Sequence, residues 1–290
     1  MRRLEYIVDS GRDGMQAGSF LTGKGYSRAM LTLLKNTGGL LVNGAPVRTV
    51  DRVSAGDVVT AVFNEVSDSE PNPLLHADIV FDDEDIVVFD KPTGMPVHTS
   101  YRHDRDTLEN LFAARYPDCC FHAVSRLDRN TSGLIIAAKH KFAAARLMSD
   151  PEYRPEKLYY AVTGKGFYEK YGMCGEIIAP IARENDSMIK RVVREDGIYA
   201  HTRFRVAAAE DDICLLEVSL VTGRTHQIRV HFSYAGFPLL GDDLYGGDTS
   251  RIGRQALHCG RISFRHPVTD DSMTLVSPLP DDMSELFDRK

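Results

Sequence analysis

The sequence predicts an α+β fold: a mixed, largely antiparallel sheet with flanking helices, preceded by a small N-terminal α/β domain. Two observations support this prediction. Beyond residue 78, most apolar segments are short runs rich in Val, Ile and Phe that are bounded by turn residues, which is typical of strands. Few segments between these runs have helical spacing, so antiparallel strands dominate. With 43% apolar residues, the 290-residue chain can bury a full core.

The N-terminal domain is predicted from a helix and a hairpin. Ser27 is placed to cap a helix that starts at Arg28, and Gly38-Gly39 ends that helix. Asn43-Gly44 is a strong signal for a two-residue hairpin turn, and residues 58–63 continue as a strand.

The remaining elements follow from local patterns. An acidic, proline-containing stretch indicates a linker, so we divide the chain into residues 1–63, a linker of residues 64–77, and a large domain of residues 78–290. The predicted strands of the large domain are 79–81 and 86–89 as a hairpin, 133–138, 158–163, 202–207, 213–221, and 262–264 with 273–276 as a last hairpin. Helices are predicted over 141–148 and 224–234.

The charge of the chain is unevenly distributed. The net charge is −6, but residues 64–90 alone carry −9 and residues 266–290 carry −4, so the remainder carries +7. Residues 1–63 hold eight basic and five acidic side chains. This distribution leaves a polyanionic partner such as RNA open, although an ordinary mixed surface explains it equally well.

Other features narrow the class of protein. The five cysteines are scattered and lack C-x-x-C spacing, so we expect free thiols and neither disulfides nor a zinc site. No apolar stretch approaches the roughly 20 residues that span a bilayer. We therefore expect a cytoplasmic protein without a membrane segment.

The segment around Asp128 is the first candidate for chemistry, because a polar loop there leads directly into a buried strand. Arg126 and Arg129 flank Asp128, so its carboxylate is expected to stay ionised. An ionised, positioned carboxylate can attack an anomeric carbon. The alternative is that Asp128 only organises a turn with Thr131 and Ser132.

Three further segments hold polar residues that a purely structural sequence does not need. Residues 90–98 form a Pro/Gly loop after a strand. In residues 157–162, strand alternation sends Tyr159 and Tyr160 to opposite faces, so one ring can line a cavity and stack on a base. In residues 222–231, Arg224 stands at a predicted helix start, where the helix dipole does not favour a cation, so a carboxylate is its expected partner.

Taken together, these segments resemble the RluA-type family of pseudouridine synthases, which modify uridines in ribosomal and transfer RNA. The resemblance runs from about Ile79 to Pro278. Its most specific parts are RLDRNTSGL around Asp128 and TGRTHQIRVH…GFPLLGDDLYGG from Thr222, with KPTGMPVH, KLYYAVTG and QALHCGRISFRHP in the family's order. Ser125 departs from the family, where many members have His before the Arg.

The resemblance implies roles for five residues. Asp128 would be the nucleophile, Tyr159 would stack on the target uracil, and Arg224 would be the ion-pair partner of Asp128. Arg126 would fill the space left by the flipped uridine, which must leave its stack first, and Leu257 would pack beneath the base. The resemblance implies no cofactor and no metal, because the reaction transfers neither electrons nor groups. The expected partner is RNA, and the expected state is a monomer.

The N-terminal domain resembles the small RNA-binding module first seen in ribosomal small-subunit protein four. Ser27, Arg28 and the helix after them support this, so these residues are expected to contact RNA. A cap that touches no RNA is the alternative.

Two other functions stay open from the sequence. A glycoside-type hydrolase would also use an Asp nucleophile, but needs a second carboxylate about 5–10 Å away, for which Asp242 and Asp243 are the nearest suspects. A non-catalytic RNA-binding relative is the other possibility. Whether Asp128 adds to C1′ or takes a sugar proton to give a glycal also stays open.

Overall fold

The computed structural model describes residues 1–65, 67–100, 103–164, 166–185, 187, 189–210 and 212–288. The described residues form two sheets of unequal size and a separate two-stranded ribbon. None of the helices in these ranges is long and apolar enough to cross a bilayer.

The N-terminal sheet contains four antiparallel strands in the order β1-β4-β2-β3. Its elements are β1 (Arg2–Ile7), α1 (Ala17–Thr22), α2 (Arg28–Thr37), β2 (Leu40–Val42), β3 (Ala45–Pro46) and β4 (Val58–Phe63). The predicted cap is confirmed, since the Ser27 side chain accepts a hydrogen bond from the Met30 amide at 3.3 Å. The Asn43-Gly44 hairpin is also confirmed, with φ of 49° and 81°, both in the left-handed region that a type I′ turn requires.

The large sheet has ten strands and is largely antiparallel, as predicted. Its main path runs β10-β13-β14-β9-β15-β8-β6-β5, while β16 pairs with β15 and β7 with β8. The strands are β5 (Asp78–Asp82), β6 (Ile86–Lys91), β7 (His122–Ala123), β8 (Ser132–Ala138), β9 (Glu156–Gly164), β10 (Cys174–Ile178), β13 (His201–Glu210), β14 (Ile213–Leu220), β15 (Leu257–Arg265) and β16 (Ser272–Val276). The ribbon is β11 (Ile181–Arg183) with β12 (Arg191–Val193), and the helices are α3 (Leu108–Arg115), α4 (Lys141–Ser149), α5 (Gly166–Tyr171), α6 (Gln227–Tyr234) and α7 (Asp281–Asp288).

The pairing of β8 with β15 is parallel and lies in the middle of the sheet. Since parallel strands start at the same edge, the loop before Ser132 comes close to the start of β15 at Leu257. The two backbones approach tightly at Gly133, where a Cβ atom would lie 2.4 Å from the Cys259 carbonyl oxygen. Gly133 also has a φ of 108°, so only glycine satisfies both demands at this position.

The N-terminal unit and the large sheet share buried contacts. Phe142 of α4, which is 1% exposed, belongs to the core of the N-terminal unit and lies 4.4 Å from the Tyr26 ring, centroid to centroid. Asp85 accepts hydrogen bonds from Arg2 Nε at 2.7 Å and lies 3.0 Å from His140 Nε2. The division of the chain at residues 63 and 78 stays a prediction.

The helix predicted over residues 224–234 begins three residues later than expected. His226, with φ of 57° and ψ of 17°, interrupts the helical backbone, and α6 starts at Gln227. Arg224 therefore lies in the loop before the helix and not in its first turn. The predicted helix over residues 141–148 and the two predicted hairpins are confirmed.

Candidate active site

The four segments that the sequence singled out meet at one cleft of about 850 Å³. Residues 96–100 line part of it, together with Arg154, Pro155 and Lys157, and the loop with Asp128 faces the loop from Thr222 to His226. Tyr159 of β9 lines it as well. The sheet brings these segments together, because the Asp128 loop leads into β8 and the 222–226 loop follows β14, on either side of β9 and β15.

Asp128 presents one bound and one open oxygen to the cleft. Its Oδ2 accepts a hydrogen bond from Arg229 Nη1 at 3.0 Å. Its side chain is 24% exposed, so the carboxylate is reachable from the cleft. The backbone carbonyl of Asp128 accepts from the Thr131 amide at 3.0 Å, which closes the turn before β8. The backbone of Asp128 therefore forms the turn, while its side chain keeps one carboxylate oxygen without a hydrogen bond to any described residue.

Arg229 is itself held from behind by a second carboxylate. Its Nε and Nη2 donate to the two oxygens of Asp242 at 2.7 and 2.8 Å, and Asp242 is fully buried. The Tyr245 ring lies 4.9 Å from the guanidinium carbon. Burial alone would lower the pKa of Arg229, but Asp242 and Asp128 raise it above its ordinary value. Arg229 is thus a fixed cation that aims one N–H at Asp128.

The ion-pair partner predicted for Asp128 was wrong. The structure gives that place to Arg229, while Arg224 is exposed and its Nε donates to the Tyr199 carbonyl at 3.1 Å. The cause is the late helix start, since Gln227 Oε1 accepts from the Arg224 amide at 2.9 Å and holds Arg224 in the loop. Sequence reasoning missed Arg229, because α6 contains several other polar residues and nothing in its pattern singles out this one.

Tyr159 and Leu257 lie close together on one face of the sheet. Tyr159 pairs with Cys259 and Ala161 with Leu257, so alternation places the side chains of Tyr159 and Leu257 on the same side. Both are buried, at 5% and 4% exposure. Burial raises the pKa of Tyr159 well above its ordinary value, so its phenol stays protonated. Tyr160 packs in a different cluster, as the alternation of this strand predicted.

Arg126 is exposed at the edge of the cleft. Its Nη2 donates to Thr225 Oγ1 at 3.2 Å, so it bridges the two loops that face each other there. Ser27 and Arg28, the predicted RNA contacts of the N-terminal unit, are both exposed at the start of α2. Their contact with RNA stays a prediction.

Lys91 lies behind two of the loops that form the cleft and has no exposed surface. Its Nζ donates to the carbonyls of Pro92, Met95 and Arg129 at 2.7, 2.9 and 3.1 Å. Burial lowers the pKa of Lys91 to about 7, although the charge of Asp128 opposes this. Lys91 therefore ties the 90–98 loop to the carbonyl that follows Asp128, a role that sequence reasoning missed.

His226 is another cleft residue without a predicted role. Its Nε2 lies 3.8 Å from Asp128 Oδ1, and its Nδ1 lies 2.8 Å from the Tyr245 hydroxyl. Two groups of side chains elsewhere have the composition of metal ligands, namely Glu65, Cys120 and His122, and Asp83, Asp85 and His266. Neither group includes a residue that lines the cleft.

A family model described as RNA pseudouridylate synthase matches residues 85–234, just over half of the chain. The matched range contains Asp128, Tyr159 and Arg229. The chain belongs to this family. It is an RNA pseudouridine synthase, an isomerase that acts on RNA, and the family predicted from the five ordered segments is confirmed.

Individual relatives agree with this identification. The pseudouridine synthase is 42% identical to YjbO of Bacillus subtilis, an uncharacterised RNA pseudouridine synthase, over 91% of this chain and 95% of the relative. It is 34% identical to ribosomal large subunit pseudouridine synthase D of Neisseria meningitidis, over 90% and 74% of the two chains. Among solved structures, human RNA pseudouridylate synthase domain containing 1 is similar, with 26% identity and a TM-score of 0.57 over 72% of this chain and 86% of that one.

Proposed function

We propose that this pseudouridine synthase isomerises uridines of ribosomal RNA, with Asp128 as the nucleophile. The observation that carries the residue assignment is the half-bound carboxylate of Asp128, which Arg229 holds at 3.0 Å through one oxygen only. The relative from Neisseria meningitidis is named for the large ribosomal subunit, which supports ribosomal RNA as the substrate class. Transfer RNA is the second candidate.

The reaction breaks the N1–C1′ bond of a flipped uridine, turns the uracil, and joins C5 to C1′. C5 then loses its proton and N1 gains one, so that the product is an isomer of the substrate. Addition of Asp128 to C1′ and removal of a sugar proton use the same carboxylate, and the hydrogen bond from Arg229 to its Oδ2 positions that carboxylate in either route. The buried Tyr159 ring and Leu257 offer an apolar surface on which the detached uracil can lie. In this proposal Arg126, which is exposed at the cleft, fills the space in the stack that the uridine leaves.

A glycoside-type hydrolase is less well supported. Such an enzyme needs a second carboxyl group that can donate a proton. Asp242 is one of the two candidates for this group that the sequence offers. It is fully buried, and both of its oxygens accept hydrogen bonds from Arg229. Both oxygens are thus engaged by Arg229, and Asp242 does not line the cleft in which a glycosidic bond would lie.

The test is to incubate the pure protein with unmodified transcripts of ribosomal and transfer RNA and to map pseudouridine by mass spectrometry. We expect pseudouridine at discrete positions of the ribosomal transcript and no free uracil. Modification of transfer RNA alone would change the substrate class. Release of uracil would indicate a hydrolase, and binding without any product would indicate a non-catalytic relative.

We further infer that the N-terminal unit, residues 1–63, binds RNA outside the cleft. Residues 1–63 carry a net charge of +3, and Arg28 and Lys35 are exposed on α2. The logarithm of the binding constant falls linearly with the logarithm of the salt concentration, and each phosphate contact steepens this slope by nearly one unit. Replacing Arg28 and Lys35 with Ala should therefore reduce the salt slope of RNA binding by about 1 to 2 units.

Arg48→Ala is the matched control for this variant, because Arg48 is an exposed cation of the same unit whose guanidinium already pairs with Asp51 at 2.9 Å. A salt slope that is the same for all three proteins would remove the RNA-binding role of α2. It would leave the assignment of Asp128 unaffected.

We also infer that the enzyme acts as a cytoplasmic monomer without metal or cofactor. The isomerisation moves no electrons or groups to or from the substrate, so the residues of the cleft suffice for it. The free cysteines, of which Cys214 and Cys259 are buried, suit a reducing compartment. Light scattering at working concentration tests the monomeric state. Activity in the presence of a chelator tests the independence from metal.

A further inference from the structure

The backbone at His226 gives a first indication that its side chain has a specific task. With φ of 57°, His226 lies in the left-handed region, which only a few per cent of non-glycine residues occupy. As the N-cap residue of α6, it makes no side-chain hydrogen bond to the helix. Neither the turn nor the cap therefore requires an imidazole at this position, and strained backbone of this kind clusters at functional sites.

Tyr245 determines which nitrogen of His226 carries the proton. The Tyr245 oxygen accepts a hydrogen bond from the Arg191 amide at 3.0 Å. Burial raises the pKa of Tyr245 to about 12, so the hydroxyl keeps its proton and needs an acceptor. His226 Nδ1, at 2.8 Å, is that acceptor. Burial also lowers the pKa of His226, which therefore stays neutral with its proton on Nε2.

The Nε2–H of His226 and the open oxygen of Asp128 form a donor and an acceptor on the cleft wall. Their separation of 3.8 Å is longer than a hydrogen bond, so the two groups do not satisfy each other. A hydroxyl oxygen placed between them can accept from Nε2 and donate to Oδ1. An oxygen that only accepts, such as a ring ether or a carbonyl, would face the lone pairs of the carboxylate.

The target uridine has one hydroxyl next to its reacting carbon, which is the 2′-hydroxyl beside C1′. We propose that His226 Nε2 and Asp128 Oδ1 together bind this 2′-hydroxyl, which makes His226 a further substrate-contacting residue that selects ribose over deoxyribose at the target position. The proposal rests on the proposed function, because it requires C1′ to lie against Asp128. The 2′-hydroxyl is the group by which a protein distinguishes RNA from DNA.

The test uses two synthetic oligoribonucleotides that share the target sequence mapped in the experiment above. One has uridine and the other has a single 2′-deoxyuridine at the target position. With the wild-type protein, kcat/KM should fall by about 10- to 100-fold on the 2′-deoxy substrate, since a buried donor then loses its partner. His226→Phe should show a similar loss on the ribose substrate and less than about a 3-fold further loss on the 2′-deoxy substrate, as expected when both changes remove one interaction.

Two additional variants keep the test decisive. His226→Asn suits the left-handed backbone but has an amide too short to reach the hydroxyl, so it should also lose the preference for ribose, and it replaces the Phe variant if that protein does not fold. His98→Phe changes another histidine of the cleft, one whose Nδ1 lies 3.4 Å from Glu109 Oε2, and should keep the preference.

Equal turnover of both substrates by the wild-type protein would overturn the proposal. The proposal would also be overturned if the loss from the His226 substitution and the loss from the 2′-deoxy substitution multiplied, because the two changes would then remove independent interactions. The oligonucleotide is one that the wild-type protein modifies, so a failure of the proposed function would appear before this comparison begins.

Discussion

Two carboxylates, Asp85 and Asp128, lie in loops that lead into buried strands, but they are bound very differently. Asp85 lies under the N-terminal unit with a side chain only 5% exposed, and it is within hydrogen-bond distance of Arg2 Nε, Arg2 Nη2 and His140 Nε2. Asp128 is 24% exposed and has one hydrogen-bonded cation. A saturated carboxylate stabilises the fold, whereas a carboxylate with one open oxygen is available to a substrate.

The largest expected effect comes from the open carboxylate. Asp128→Asn should reduce pseudouridine formation by more than about 100-fold, because the neutral amide is not a nucleophile. Stability should change little, since the turn depends on the backbone carbonyl of Asp128 and Arg229 keeps its pair with Asp242. Single-turnover rates and thermal melting of the same samples measure the two effects. Residual activity above about a hundredth of the wild-type rate would place the chemistry elsewhere.

An intermediate effect is expected for the cation that holds Asp128. Lysine keeps a positive charge but lacks the planar fork, so Arg229→Lys cannot bind Asp242 and Asp128 together. We expect its kcat to fall by about 10- to 100-fold. Arg224→Lys, the matched substitution in the neighbouring loop, should change kcat by less than about 3-fold, because Arg224 contacts a backbone carbonyl and not Asp128. The reverse order would restore Arg224 as the partner of Asp128 during turnover.

The smallest effect on activity is expected at the saturated carboxylate. Burial alone would raise the pKa of Asp85, but hydrogen bonds from His140 and Arg2 lower it to about 2 from 3.8. A shift of this size corresponds to about 2 kcal/mol of stability. Because the pKa is lowered in the folded state, this stabilisation is present above pH 4 and is lost as the pH falls from about 4 to about 2.

Asp85→Asn should therefore lower the free energy of unfolding by about 2 kcal/mol at pH 6, and the difference from wild type should shrink towards pH 2. Urea titrations at several pH values measure this difference, and kcat at pH 7 should stay within about 2-fold of wild type. A difference that does not depend on pH would mean that packing, and not the charge of Asp85, accounts for the contribution.

The sequence predicted the architecture because the strands have clear apolar patterns and turn signals. The hairpin at Asn43-Gly44 and the buried strand after Asp128 depend on local rules of this kind. The partner of Asp128 depends on something different. A left-handed His226 shifts the helix start by three residues, and Asp242, a residue distant in sequence from Asp128, fixes Arg229. Neither the backbone conformation of one histidine nor a long-range ion pair leaves a periodic pattern in the sequence.

The insertion of Phe142 into the N-terminal core was equally hidden, because the apolar face of a helix does not show which core it joins. It has a consequence for biosynthesis. Residues 1–63 are translated before Phe142, so until then their core lacks the ring that packs 4.4 Å from Tyr26. A domain that emerges early usually folds at once. Here the core of the first unit is complete only after about 80 further residues have been translated, so its final packing depends on a helix of the second unit.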